Sequence, residues 1–188
     1  KVILDGKEIS PNGAWWSEKE QQLIIQPTNK GVYSYLAIGK QRRQPRTLAT
    51  FSVSLQNPGV LRVLPGPEAE VGFEKLLQAE FEVSNEFSPV GIRLQNLSEL
   101  TLTHSHPEIP SEPQVPGGIQ LPASGNPIIL GPNGPTTGGY PKIAVLIDAD
   151  LDSAFQLPPG RKVRFQRVSY EEARELSENR RKRLENTL

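Results

Sequence analysis

Short runs in which apolar and polar residues alternate recur along this chain, separated by stretches rich in glycine and proline. Alternation with period two marks a strand that buries one face. Val2-Ile3-Leu4 and Lys7-Glu8-Ile9 flank Asp5-Gly6, whose glycine accepts positive φ at little cost, so the first element is a two-residue hairpin. Residues 22–26 and 32–38 are β-branched or aromatic runs parted by Pro27, Asn29 and Gly31, which predicts two strands and a turn, with Tyr33 and Tyr35 on one face. The pattern fails over 39–50, where Lys40, Arg42, Arg43 and Arg46 form a basic connection, read as a solvated loop or boundary. It returns at Val60-Leu61-Arg62-Val63-Leu64 and stops at Pro65-Gly66-Pro67.

Beyond that stop, Phe73, Leu76 and Leu77 stand at helical spacing and predict a short amphipathic helix over 68–78. Phe81 and Val83, then Val90, Ile92 and Leu94, alternate with polar residues as in two half-buried strands. A further strand is expected at 100–103, after which Pro107, Pro110, Pro113 and Pro116 exclude helix. Strands over 119–121, 127–130, 143–147 and 162–168 bring the count to about ten. Ser169-Tyr170-Glu171-Glu172 has the spacing of a capping box and launches a helix toward Leu188, supported by Arg174, Glu178 and Lys182 at i, i+4. Many short strands, few helices and no internal repeat predict an all-β sandwich or closed barrel.

Composition narrows the chemistry more than the fold. The 188 residues can bury a sizeable core without a metal or disulfide. Sixteen glycines and 18 prolines exceed the roughly 12% usual for globular chains, in keeping with many turns. Lys plus Arg equals Asp plus Glu at 21 each, so no overall field draws the molecule to nucleic acid or anionic lipid, and a small or neutral partner is expected. Arg180-Arg181-Lys182-Arg183 is read as a solvated helix end. The absence of cysteine excludes disulfides, thiolate-held metals and thiol catalysis. No apolar run approaches the ~20 residues of a membrane span and no signal core is visible, so a cytoplasmic protein without membrane contact is expected. With lysine at position 1 and no methionine, sequence upstream of residue 1 is also expected.

His104-Ser105-His106 is the histidine pair of the chain, but Glu108 is its sole nearby carboxylate, and a polar turn is the preferred reading over a metal site. Neither a G-x-S-x-G elbow nor a phosphate-binding G-x-x-x-x-G-K loop occurs. The segment 116–142 is the richest in candidate chemistry. A strand, a turn and a second strand lead into Thr136-Thr137-Gly138-Gly139-Tyr140-Pro141-Lys142, which offers two hydroxyls, bare backbone amides, a phenol and an ammonium. That inventory can hold a carboxylate, amide or phosphate. The alternative is that these glycines only turn a tight corner.

At these residues the chain resembles the biotin-dependent carboxyltransferase-like family that includes allophanate hydrolase subunit 2, the C subunit of 5-oxoprolinase and the sporulation regulator KipA. The likeness runs in order through Pro116-Gly117-Gly118-Ile119-Gln120-Leu121-Pro122, then 125–130, 136–151 and 156–165. Weaker echoes lie at Tyr35-Leu36-Ala37-Ile38, at 62–67 and at Gly91-Ile92-Arg93-Leu94. Family members begin with roughly another half-chain, absent here, and residues 39–50 replace expected motifs. Val90 stands where methionine is expected, and Asn133-Gly134-Pro135 replaces an aspartate-containing loop.

The resemblance implies a mainly β, cyclophilin-like closed barrel with short helices and a C-terminal helix. Residues 1–56 would be the remnant of a first barrel half, 57–168 the carboxyltransferase-like barrel and 169–188 the helix. It implies a cytoplasmic heteromer with a KipI-like protein (the B subunit of 5-oxoprolinase), acting on a small amide or carboxylate. ATP used by the complex, or carboxybiotin, would serve the chemistry without a cofactor bound directly to this chain. The other implication is a non-catalytic regulator of KipA type that antagonises a KipI-like kinase inhibitor. Within the family pattern Lys142 and Tyr140 would be catalytic, while Arg93, Gln120, Thr136, Thr137, Gly138 and Gly139 would bind substrate, since a poorly electrophilic amide needs donors aimed at developing charge. Structural readings stand beside these: an ion pair for Arg93, a buried amide for Gln120, a core phenol for Tyr140. Asp148 and Asp150 are expected to face one way on an extended strand, with Asp150, the family aspartate, capping a turn at Leu151-Asp152.

Overall fold

Asp5 and Gly6 both take positive φ, 51° and 79°, the geometry that lets two strands reverse over two residues. The predicted hairpin forms: β1 (Val2–Leu4) pairs antiparallel with β2 (Lys7–Ile9), and β3 (Leu23–Ile25) adds to the other edge of β1. The computed structural model describes residues 1–10, 20–27, 36, 59–102 and 109–185. The strand expected at 32–38 (but for Leu36), the connection at 39–50 and the His104/His106 pair lie outside them.

The main body is built on β4 (Val60–Pro65), α1 (Phe73–Gln78), β5 (Phe81–Ser88), β6 (Gly91–Asn96), β7 (Glu112–Pro113), β8 (Gly118–Gln120), β9 (Ile128–Leu130), β10 (Thr137–Gly138), β11 (Lys142–Leu146), α2 (Asp148–Ala154), β12 (Lys162–Arg167) and α3 (Tyr170–Glu185). Seven of these strands close into a barrel in the order β11-β4-β12-β5-β6-β9-β8, and β8 pairs with β11 to seal it. The β12–β4 pair is parallel and the others antiparallel. β7 and β10 form a separate two-residue ribbon. The mainly β, closed-barrel expectation holds.

Alternation in sequence becomes inside and outside in the barrel wall. Leu61 and Val63 on β4, Phe81 and Val83 on β5, Ile92 and Leu94 on β6, and Val163 and Phe165 on β12 point inward, where they meet Ile119, Leu121, Ile129 and Ile143. Phe81 and Phe165 contact edge to face at 5.6 Å. The predicted helix over 68–78 splits into a 3-10 turn at Ala69–Val71 and α1, with Phe73 and Leu76 plugging the core.

Three expectations need correction. Residues 100–102 lie outside any strand, and Val90 sits in an exposed turn rather than on a half-buried strand. Asp148 and Asp150 are not on an extended strand, nor does Asp150 cap a turn at Leu151. They begin α2, where carboxylates suit the positive end of the helix. Asp150 reaches across to β4: Arg62 donates its backbone N–H (2.8 Å), Nε (3.0 Å) and Nη2 to that one carboxylate. The hydrogen bond to Asp150 raises the Arg62 pKa above the ordinary guanidinium value.

At the C-terminus α3 lies against α2, closing a small second core of Ile147, Val168 and Ala173 with Leu64, Ala149 and Leu176 at its rim. Arg180 of α3 pairs with Asp148 and Asp152 of α2. Ser169 Oγ accepts the Glu172 N–H at 3.1 Å, the serine half of the predicted capping box. Ser169→Ala should cost about 1 kcal/mol, read as faster amide exchange through the first turn of α3 with barrel amides unchanged.

Candidate functional site

The strand registers bring several of the singled-out residues into one line. Arg93 on β6 faces Ile128 on β9, Ile128 faces Gln120 on β8, and Gln120 faces Lys142 on β11. The row spans three strand spacings, about 14 Å. The sequence neighbours Ile92, Leu94, Ile119, Leu121, Ile129 and Ile143 point into the barrel, so this row lies on the outer surface of the wall.

Its two ends differ. Arg93 is exposed, and its Nε lies 3.1 Å from Glu86 Oε2, itself exposed, so this is a surface ion pair of little energetic weight. At the other end Gln120 and Lys142 are only 5% and 7% exposed although they sit on the outside. The β7–β10 ribbon and its flanks cover them. The ribbon is tied down by Gln114 N–H to the Thr136 carbonyl (3.0 Å), Ile109 N–H to the Gly139 carbonyl (2.9 Å), and Gln114 Nε2 to the Glu112 and Gly138 carbonyls (both 3.2 Å).

Beneath this strap Lys142 is held from all sides. Its Nζ donates to the Pro113 carbonyl at 2.8 Å and lies 2.8 Å from Glu112 Oε1. Its backbone N–H donates to Glu68 Oε2 (2.9 Å), and its carbonyl accepts the Glu68 N–H (3.2 Å). A carboxylate and a carbonyl are suitable partners for a buried ammonium. Glu112 Oε1 nonetheless has no aligned hydrogen bond, and the buried Gln114 Oε1 has no hydrogen-bond partner.

The Gly-Gly loop rests directly on this pair. A Cβ at Gly138 would lie 2.9 Å from Gln120 Nε2 and 3.3 Å from Gln114 Nε2, so a side chain there would displace the ends of both glutamines. Gln120, Gly138 and Lys142 are thus brought together, with Gly139 beside them on the strap. Thr136, Thr137 and Tyr140 are exposed at its rim, and Arg93 stands at the far end of the row.

Glu112, Gln114 and Glu68 were not singled out in the sequence. The first two lie in the proline-rich stretch, whose spacing says only that it is not helical, and the third follows a Pro-Gly-Pro stop. A buried lysine needs an anion, and the sequence leaves open which one. Among the described residues no group of three or more acidic or imidazole side chains could hold a metal, and no helix is long and apolar enough to cross a membrane.

Comparison with known proteins agrees with the barrel fold. The carboxyltransferase domain family, subdomain A and B, matches residues 41–167, which include the whole barrel and the row. The chain is 34% identical over 143 residues to the C subunit of 5-oxoprolinase from Escherichia coli K12, covering 73% of this chain and 45% of that protein. It is 39% identical over 123 residues to the C subunit of 5-oxoprolinase from Haemophilus influenzae, covering 62% and 38%. The chain therefore spans less than half the length of these relatives. Among solved structures it resembles TTHA0988, with a TM-score of 0.67 at 25% identity over 88% of this chain and 40% of that one. The Kluyveromyces lactis urea carboxylase shares the fold, with a TM-score of 0.58 at 24% identity over 75% of this chain and 13% of the other. An ordered barrel, a matched span covering most of the chain and relatives of this identity lead to one conclusion: the chain belongs to the carboxyltransferase domain family, subdomain A and B.

Proposed function

We propose that this chain is part of a subunit of a 5-oxoprolinase-type complex and supplies one wall of a site for a small amide or carboxylate. The observation that carries the reading is the covered end of the outer row, where Gln120, Lys142 and Gly138 meet under a strap. The names of the two bacterial relatives support the substrate class. A cyclic amide bearing a carboxylate asks for an amide partner, a cation and backbone dipoles, and these three chemistries converge there. Thr136, Thr137 and Tyr140 at the rim would complete the donor set, and Arg93 would receive a group lying further along the row.

Opening an unactivated amide needs an energy source. In this proposal ATP or carboxybiotin is handled by a KipI-like partner in a cytoplasmic heteromer, because the sequence has no phosphate loop and Lys142 already has a carboxylate and a carbonyl as partners.

A second reading has its own observation. An ammonium already satisfied within the chain suits a structural post as well as a reactive group, as a non-catalytic KipA-like regulator would use it. Two substitutions in the assembled complex separate the readings. Lys142→Ala and Thr137→Ala should each lower turnover at least tenfold while partner binding, measured by co-elution, persists. Thr137 is exposed, so its loss of activity could not be blamed on unfolding. Full activity in both variants would remove the catalytic reading and leave the regulator.

A further inference from the structure

Lys142 is more deeply buried than the acid that neutralises it. Its side chain is 9% exposed, whereas the Glu112 side chain is 29% exposed, so Glu112 is the member of the pair that reaches solvent. Glu112 Oε1 faces inward, 2.8 Å from Nζ, yet makes no aligned hydrogen bond. Glu112 lies on β7, which pairs with β10 through Thr137 with Pro113 and Gly138 with Glu112, flanked by the Gln114 and Ile109 hydrogen bonds. Immediately beside it the buried Gln114 Oε1 has no donor. An oxygen held by Lys142 alone and a second oxygen with no donor thus sit side by side on one short segment, although buried polar atoms nearly always find hydrogen-bond partners. They mark where the contact is least optimised and where another group can take its place.

We propose that the Glu112 carboxylate is a stand-in ligand: it occupies the seat that a small monocarboxylate takes on Lys142, and the incoming anion displaces it. The proposal rests on the reading of this site as a substrate wall and sharpens it, since it assigns the carboxylate, rather than the amide, of the bound molecule to Lys142. Exchange of one carboxylate for another keeps the buried ammonium neutralised throughout. It lets the ligand N–H supply the donor that Gln114 Oε1 lacks, and it turns Glu112 out toward solvent, where a free carboxylate is well hydrated. Neutral amides gain nothing from this exchange, so Glu112 also sets specificity: a ligand without a carboxylate meets a closed ion pair.

The test is equilibrium binding of 5-oxoproline, and of 2-pyrrolidone as its carboxylate-free analogue, to full-length protein bearing Glu112→Gln. The amide keeps the size and an acceptor for Lys142 but removes the competing charge. Affinity for 5-oxoproline should rise at least tenfold, affinity for 2-pyrrolidone should change less than twofold, and adding Lys142→Gln should abolish the gain. Unchanged or weaker 5-oxoproline binding in Glu112→Gln, with binding lost in Lys142→Gln alone, would overturn the exchange while leaving the site in place. Binding indifferent to Lys142→Gln would instead remove the site reading itself. Should Glu112→Gln fail to fold, Glu112→Asp, which withdraws the carboxylate by one methylene, must show a smaller gain in the same direction; no gain there overturns the proposal.

Discussion

Replacing Asp150 with alanine is expected to lower the unfolding free energy by about 3 kcal/mol, measured by denaturant titration. In sequence the residue reads as the cap of a local turn, with no distant partner in view. In the folded chain its carboxylate is the partner of the Arg62 backbone amide and of two guanidinium nitrogens. The Asp150 side chain is 10% exposed and that of Arg62 28%, so removing the acid strands a partly buried charge and a backbone donor together. The estimate sits at the low end for a broken buried pair because water can still reach part of the guanidinium. Asp150→Asn retains acceptor capacity and should cost less, about 1–2 kcal/mol. Equal losses in the two variants would mean that shape, and not charge-assisted hydrogen bonding, holds α2 against β4.

Gly66→Ala should cost about 2–3 kcal/mol and also disturb the candidate site. Gly66 follows β4, and its N–H donates to the Ile143 carbonyl at 3.0 Å. A methyl group there would run into the Lys142 carbonyl oxygen and lie 2.8 Å from the Ala144 nitrogen and 2.9 Å from the Ile143 carbonyl carbon. All three are backbone atoms of β11, which cannot rotate aside as a side chain can, so the strand itself must shift. That shift moves Lys142 away from Glu68, which grips its N–H and carbonyl, and from the Gln120 partner in the row. Urea denaturation reports the first effect and 5-oxoproline binding the second. A variant as stable as the parent would show that the close approach of β4 to β11 is not tight.

How far the sequence reaches can be judged residue by residue. Leu61 and Val63, Ile92 and Leu94, and Val163 and Phe165 announce their inward faces by alternation, because a pleated strand forces neighbours to opposite sides. Asp5-Gly6 and Ser169 specify a turn and a helix start through conformations that depend on a handful of adjacent atoms. The helix over 68–78 was legible as a helix but not as two pieces parted at Gly72. Asp148 and Asp150 were misplaced because one more residue of alternation after β11 cannot be told from the first turn of α2 by pattern alone.

The candidate site divides the same way. Gly138, Gly139 and Lys142 stand out in sequence because bare backbone beside an ammonium is an uncommon local inventory. Nothing local says that Lys142 is buried, that Glu112 neutralises it from 30 positions away in the chain, or that Glu68, 74 positions away, fixes its backbone. The same holds for Arg62 and Asp150, 88 positions apart. Sequence by itself therefore determined the mainly β class and the barrel strands, since these follow from short-range sterics and periodic burial. The tertiary structure alone decided which charges meet, which face of the wall is covered and which donors are already engaged, since desolvation and ion pairing depend on neighbours that only barrel closure brings together.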